Sequence, residues 1–262
     1  MIRIKTKEEI EILRKCSLLV GKTLAEVAKH LRPGVRTLEL DTLAETFIRD
    51  HGALPGFKGY NGFPGTLCIS INDEVVHGIP GNRVINEGDI VSVDCGTIIN
   101  GYYGDSAYTF GVGEIDPEVK LLLQRTKESL YLGVQAAVEG NRTGDIGFAV
   151  QSYVERFGYG VVRELVGHGI GKSMHEKPEI PNFGKRGSGP KLKEGMTICI
   201  EPMVNLGRKE IIQLQDGWTI KTADGKPSAH YELEIAVGKT EADILTSYSE
   251  IEEVIKTYTI YG

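Results

Sequence analysis

Two stretches of the 262-residue chain read alike, and each ends in a carboxylate. Glu87-Gly88-Asp89-Ile90-Val91-Ser92-Val93-Asp94 aligns with Glu194-Gly195-Met196-Thr197-Ile198-Cys199-Ile200-Glu201 at an offset of 107 residues. Gly34-Val35-Arg36-Thr37 through Gly52 aligns with Gly140-Asn141-Arg142-Thr143 through Gly158 at an offset of 106. Two matches at nearly one offset point to an internal duplication. One half, approximately residues 1–110, is then expected to mirror the other, 111–262, within a single domain. Asp94 and Glu201 fall at equivalent strand positions. A pair of carboxylates at the junction of two like halves is a natural place to hold metal.

The duplication accounts for a length that is large for one ordinary domain. A formal net charge of −6 gives no basic footprint for nucleic acid. Cys16, Cys68, Cys95 and Cys199 show no paired spacing, so they read as reduced thiols of a cytoplasmic protein. No apolar run reaches the roughly 18 residues of a membrane span, and the first residues lack the apolar stretch of a signal peptide.

Helical spacing follows the Thr6/Glu9 capping-box pair: Ile10, Leu13, Ser17, Val20, Leu24, Val27 and Leu31, with Ser17 the one polar break. Arg32-Pro33-Gly34 stops that helix. A second helix follows Thr37 and ends at Gly52. The second half repeats the plan. Asp116-Pro117-Glu118 opens a helix to about residue 138, and another spans about 145–157. Strands are expected near 66–71, 89–95, 161–166, 196–201, 218–222 and 229–237. Helix, helix, strands in each half predicts an α+β fold, with a sheet backed by helices on one side.

Asp94 and Asp105 flank Asn100-Gly101, a strong two-residue hairpin signal. That turn pairs Gly96 with Asp105 and makes the two aspartates diagonal neighbours on one face. Glu201 precedes Pro202, which limits further strand pairing. Glu232 and Glu234 alternate onto one face, so spacing does not choose between them. His168 lies within Gly167-His168-Gly169-Ile170-Gly171, where glycines allow close approach. If Asp94, Asp105, Glu201 and Glu232 converge, protons or cations must neutralise them. Hard oxygens plus one imidazole suit divalent Mn, Fe, Co or Zn. His77 and His175 are also suggestively placed, but neither has the i, i+4 partner of a helical zinc motif.

Taken together, these residues resemble the type I methionine aminopeptidases of the pita-bread fold. The resemblance rests on Ile71-Asn72, His77-Gly78-Ile79-Pro80, Val93-Asp94-Cys95-Gly96, Gly104-Asp105, Gly167 to Gly171, Ile200-Glu201-Pro202-Met203, Gly217-Trp218-Thr219 and Ser228-Ala229 before Glu232. It implies two pseudo-symmetric halves with an antiparallel sheet backed by helices. It implies two divalent ions on Asp94, Asp105, His168, Glu201 and Glu232, with Asp105 and Glu232 bridging. Glu201 is implied as general base, His175 as oxyanion stabiliser and His77 as partner of the substrate nitrogen. Tyr60, Phe63, Cys68 and Trp218 are implied to line a methionine pocket, beside His77 and His175. The implied reaction removes the N-terminal methionine of nascent chains in the cytoplasm, with a small second residue preferred and a monomer expected. Contact with the ribosome is left open.

The sequence departs from the family pattern at Met174, where Phe is common, at His230, where Gln is usual, and at Leu233-Glu234, where His-Thr is usual. The short interval from Glu201 to Glu232 has no long insertion of the kind seen in type II enzymes. The chain is expected to begin directly at the catalytic domain, without the large N-terminal domain expected of prolidases. Competing readings are an inactive pita-bread protein that binds peptides or partners, and an aminopeptidase for X-Pro substrates.

Overall fold

The computed structural model describes residues 2–258 and 260–262. Helix α1 (Lys7–His30) begins at the expected capping box: Glu9 N–H donates to the Thr6 hydroxyl and Thr6 N–H to the Glu9 carboxylate. Helices α2 (Thr37–Asp50), α3 (Pro117–Ala136), α4 (Thr143–Val154) and α5 (Ser249–Thr257) follow. Asp116 caps α3 by accepting from Glu118 N–H, with Pro117 in the first turn, as its sequence dictates. Both α2 and α4 follow a left-handed glycine, Gly34 and Gly140.

The longest strands form one hairpin. Ile90–Ile99 pairs antiparallel with Tyr102–Val112 across Asn100-Gly101, whose φ values of 52° and 77° are those of a left-handed hairpin turn. Gly96 opposes Asp105 and Asp94 opposes Ala107, as the turn predicted. Leu67–Ile71 joins the open side of Ile90–Ile99. A second sheet runs Asp243–Ile244, Leu233–Ala236, Thr197–Ile200, Gly167–Gly169 and Glu176–Ile180, antiparallel throughout. Two three-stranded sheets complete the α+β architecture.

Helix α1 packs on both strands of the hairpin, while α3 and α4 pack together. Between them lies an apolar core that includes Leu24, Ile69, Val93, Phe110, Leu122, Ile200 and Ile235. Gly104 passes directly beneath α1. A Cβ there would lie 2.6 Å from the Cys16 backbone, so glycine sets how closely helix and strand approach.

Two expected strands differ from their sequence boundaries. Of residues 161–166 only Val161 lies in a strand, the short Gly160–Val161, and the next strand is Gly167–Gly169. Residues 229–237 divide into Ser228–His230 and Leu233–Ala236, with Tyr231 and Glu232 between them. Tertiary bonds cause that break. Glu232 N–H donates to the Ala107 carbonyl at 3.0 Å, and the Ser106 and Tyr248 hydroxyls both donate to the Glu232 carbonyl. Alternation therefore does not carry through from Glu232 to Glu234.

Candidate active site

The hairpin carries Asp94 and Asp105 into the interior, where Asp105 is 4% exposed. Thr197–Ile200 delivers Glu201 just beyond its end, and the buried Asn182 side chain holds the Glu201 carbonyl at 2.9 Å. Gly167–Gly169 delivers His168. One ligand atom each from Asp105, His168, Cys199 and Glu232 lies within 4.8 Å of the others. His168 Nε2 stands 3.5 Å from Glu201 Oε1 and 3.8 Å from Asp105 Oδ2. Asp94 lines the same cavity, and its charge acts directly on Asp105. The structure thus brings together all five sequence-derived candidate ligands.

Electrostatics explain what this group needs. Burial, then the charges of Glu232 and Asp94, push the Asp105 carboxyl well above the usual range. Glu201 and Glu232 rise for the same reasons. Burial raises Asp94 to about 7, with the neighbouring Asp105 carboxyl working in the opposite direction. Burial holds His168 neutral by lowering it to about 3. Its approaches to Asp105 and Glu201 are therefore not ion pairs. His168 Nδ1 lies 3.0 Å from the Gly169 carbonyl, which only a protonated Nδ1 satisfies. The Nε2 lone pair then faces the carboxylates, the orientation of a metal-binding imidazole.

Asp94 Oδ1, Asp105 Oδ1 and Glu232 Oε1 are buried with no hydrogen-bond partner. Leaving buried polar atoms unpaired is costly. Carboxylate oxygens, one imidazole and a compact buried geometry fit divalent cations. Asp94, Asp105, His168, Glu201 and Glu232 are the residues that would hold them.

A cavity of about 290 Å³ opens over this cluster. Phe57, Phe63, Cys68 and Met174 form a separate apolar cluster on one side, with Tyr60 and Trp218 packed against it. Phe63 meets Trp218 edge-on at 5.1 Å. His175 is on the exposed side, with Nδ1 2.8 Å from the Tyr60 hydroxyl and its ring 4.3 Å from that of His168. Burial lowers His77 to about 4, so it too is neutral. His77 adopts φ of 60°, and the next residue must be glycine because a Cβ on Gly78 would strike the Ile69 carbonyl at 2.1 Å. Every candidate substrate-contacting residue read from the sequence lines this one cavity.

Two features of the site were not read from the sequence, the Cys199 thiol and the Met203 and Leu165 lining. Cys199 joins the ligand group as a buried thiol pushed well above its ordinary value, mainly by desolvation. Its signal was available: it stands two residues before Glu201. Met203 and Leu165 line the cavity as well. Glu234 does not reach the cavity. Its Oε2 lies 2.7 Å from the Ser17 hydroxyl and accepts from Asp105 N–H at 3.3 Å. The polar break in α1 is thus the partner of the extra acid. Glu234 is fully buried, and desolvation raises it to about 8.

An acid-rich, metal-competent centre under a cavity with an aromatic wall defines a metal-dependent hydrolase. The family model of metallopeptidase family M24 matches residues 11–239, and the chain belongs to that family. It is 54% identical over 247 residues to the methionine aminopeptidase of Clostridium acetobutylicum, covering 94% of this chain and 99% of that protein. It is 52% identical over 246 residues to methionine aminopeptidase 1 of Bacillus subtilis, covering 94% and 99%. The methionine aminopeptidase structure from Thermotoga maritima superposes with a TM-score of 0.93 at 44% identity, covering 94% of this chain and all of that one. The fold is the pita-bread fold.

Raised acid pKa values fix a pH dependence. In the unfolded chain these carboxyls titrate near 4. In the folded, metal-free protein Asp94 titrates at about 7 and Glu234 at about 8. Between those limits the folded state binds more protons than the unfolded state, so stability falls as pH rises. The melting temperature of metal-free protein should decline from about pH 5 to about pH 8, and saturating Mn²⁺ should flatten the decline. A melting temperature that rises with pH in metal-free protein would contradict this electrostatic account.

Proposed function

We propose that this chain removes the N-terminal methionine from peptides and nascent proteins whose second residue is small. The observation that carries this reading is the buried cluster of Asp94, Asp105, His168, Glu201 and Glu232 at the base of a cavity walled by Tyr60, Phe63, Cys68 and Trp218. Aromatic faces and a buried thiol suit a flexible thioether side chain. Relatives carrying the name methionine aminopeptidase along nearly their whole length support the same substrate. Divalent ions held by the cluster would supply Lewis acidity toward a peptide carbonyl and would make water acidic at neutral pH.

The chain's own residues do the rest. Glu201 accepts the proton of the attacking water and passes it toward the departing amine. His175, positioned by the Tyr60 hydroxyl, donates to the oxyanion that forms at the first carbonyl. His77, held in its left-handed conformation beside Trp218, faces the scissile nitrogen. Asp94, Asp105, His168, Glu201 and Glu232 would hold the ions at the base of the cavity.

Repeated left-handed glycines support reading the two halves as a duplication. Gly34 and Gly140 precede equivalent helices, Gly52 and Gly158 follow them, and Gly88 and Gly195 precede the matched strands. Isolated bridges at Arg36 with Val84 and at Arg142 with Lys191 fall at matching places. Four buried free cysteines fit a reducing cytoplasm. Among the described residues no helix is long and apolar enough to cross a membrane. All the proposed site residues come from one chain, consistent with an active monomer.

Met-Ala-Ser, Lys-Ala-Ser and Gly-Pro peptides distinguish the readings. We expect release of methionine from the first alone, loss of that activity on chelation, and recovery with Mn²⁺, Fe²⁺ or Co²⁺. Preference for Gly-Pro would establish the X-Pro reading instead, and hydrolysis of none would leave a binding protein.

The two neighbouring acids give a sharper test. Glu232→Gln should lose bound metal and nearly all turnover, because its buried carboxylate would be one of the charges that hold the ions. Glu234→Gln should keep its metal, because that side chain bonds the Ser17 hydroxyl and Asp105 N–H and does not reach the cavity. Metal analysis of both variants decides the assignment. Metal lost from Glu234→Gln and kept by Glu232→Gln would reverse it.

A further inference from the structure

A second cavity, of about 260 Å³, is lined by Ile4, Lys5, Tyr102, Lys172 and Glu176 among others. His175 lines the first cavity and Glu176, the next residue, lines the second, so the backbone passes between the two. Lys5 Nζ donates to Glu176 Oε2 at 2.7 Å, and the two side chains are only 5% and 9% exposed. Glu176 Oε1 is buried with no hydrogen-bond partner, so the carboxylate depends on Lys5. The pair lies against Gly171, where a Cβ would come within 2.6 Å of Glu176 Oε1 and 2.7 Å of Lys5 Cε. Lys5 is anchored in turn, its N–H donating to the Gly195 carbonyl at 2.8 Å.

Glu176 pairs with Gly169 and closes the loop 170–175. The outgoing limb of that loop is fixed through its backbone. Ile170 N–H donates to the Thr197 carbonyl at 3.1 Å, the Thr197 hydroxyl donates to the Ile170 carbonyl at 2.6 Å, and Tyr103 N–H donates to the Gly171 carbonyl at 2.9 Å. The returning limb is fixed through side chains. Met174 is buried with Phe57 and Phe63, the His175 ring meets the Tyr60 hydroxyl, and Glu176 meets Lys5. The Tyr60 bond is exposed, where water competes for both partners. The Lys5 pair is buried, and removing one member of such a pair leaves an uncompensated charge. Without Lys5 the Glu176 carboxylate must turn toward water, and the second cavity gives it room. Consecutive Cα atoms are about 3.8 Å apart, so that movement carries His175 with it.

We infer that Lys5 and Glu176 are positioning residues for His175, a buried ion pair through which the N-terminal arm, residues 2–5, holds the imidazole against the substrate cavity. This rests on the aminopeptidase reading above, in which His175 donates to the oxyanion. Neither side chain lines the substrate cavity itself. Charge on the carbonyl oxygen is greatest in the transition state, so loosening the imidazole lowers kcat and leaves KM nearly unchanged.

The test has two arms, both on Lys5→Met, which keeps the aliphatic stem and removes the charge. The first records two-bond ¹H–¹⁵N spectra of histidine-labelled, Zn²⁺-loaded protein. The His175 imidazole signals, assigned by their loss in His175→Ala, should shift or broaden, while those of His77, His168 and His230 stay in place. The second follows hydrolysis of a Met-Ala-Ser peptide by the Mn²⁺-loaded protein. There kcat per bound metal should fall by about one to two orders of magnitude, the scale of a misplaced catalytic group. In a His175→Ala background the same substitution should have almost no effect. An influence of Lys5 carried through Glu234, or through a general loss of stability, would persist in that background. Unmoved His175 signals, or an equal fall of kcat in both backgrounds, would overturn the inference. Should Lys5→Met not fold, Glu176→Gln takes its place, since it removes the charge at the other end of the pair, and the same outcomes decide. If the native protein releases no methionine, the aminopeptidase reading itself has failed, and the imidazole spectra alone decide whether Lys5 positions His175.

Discussion

Mutual repulsion among buried carboxylates is the constraint on which this structure turns. At an effective dielectric near 20, two unit charges 4 Å apart repel by about 4 kcal/mol. Asp94, Asp105, Glu201 and Glu232 meet in the interior with Glu234 close behind, and among them the described residues place a neutral imidazole and a protonated thiol rather than a cation. Lys5, whose positive charge acts on Glu234, is itself tied to Glu176 at 2.7 Å. The folded chain therefore tolerates the cluster either by holding protons on it or by binding cations. Family membership and the orphaned oxygens agree that cations are its working partners.

The scaffold is built to keep those acids where they repel. Asp105 is fixed by a ten-pair hairpin register that slides only at the cost of turning every side chain over. Glu232 is held by its backbone rather than its side chain, through Ser106, Ala107 and Tyr248. Tyr248 in turn packs edge-on against Tyr108 at 4.8 Å. The last helix, which begins just after Tyr248, thus has a bearing on the metal centre although it contributes no ligand. Such backbone anchoring leaves the carboxylate oxygens free for ions.

What could be read from the sequence was what local chemistry decides. Asn100-Gly101 dictates a two-residue turn, and that turn alone places Asp94 diagonal to Asp105. The Thr6/Glu9 pair starts α1, and Asp116-Pro117 starts α3. Glu232 was distinguishable only by resemblance, because the break at Tyr231 is made by residues more than a hundred positions away in sequence, Ser106 and Ala107. Ser17 looked like a flaw in an apolar stripe. It is explained by Glu234, which is 217 residues distant in sequence. The partnership of Ser17 with Glu234 is a property of the packed core and not of either segment.

The central claim is that protons and divalent cations compete for one buried set of carboxylates. Proton release on metal binding tests it most directly. Titrating Mn²⁺ into metal-free protein at pH 6.5 by calorimetry, in buffers of differing ionisation enthalpy, counts the protons displaced. With Asp94 titrating at about 7 and Asp105, Glu201 and Glu232 held well above their ordinary values, the account predicts that metal binding expels protons from the site. Binding heats identical in every buffer, meaning no proton displaced, would contradict it.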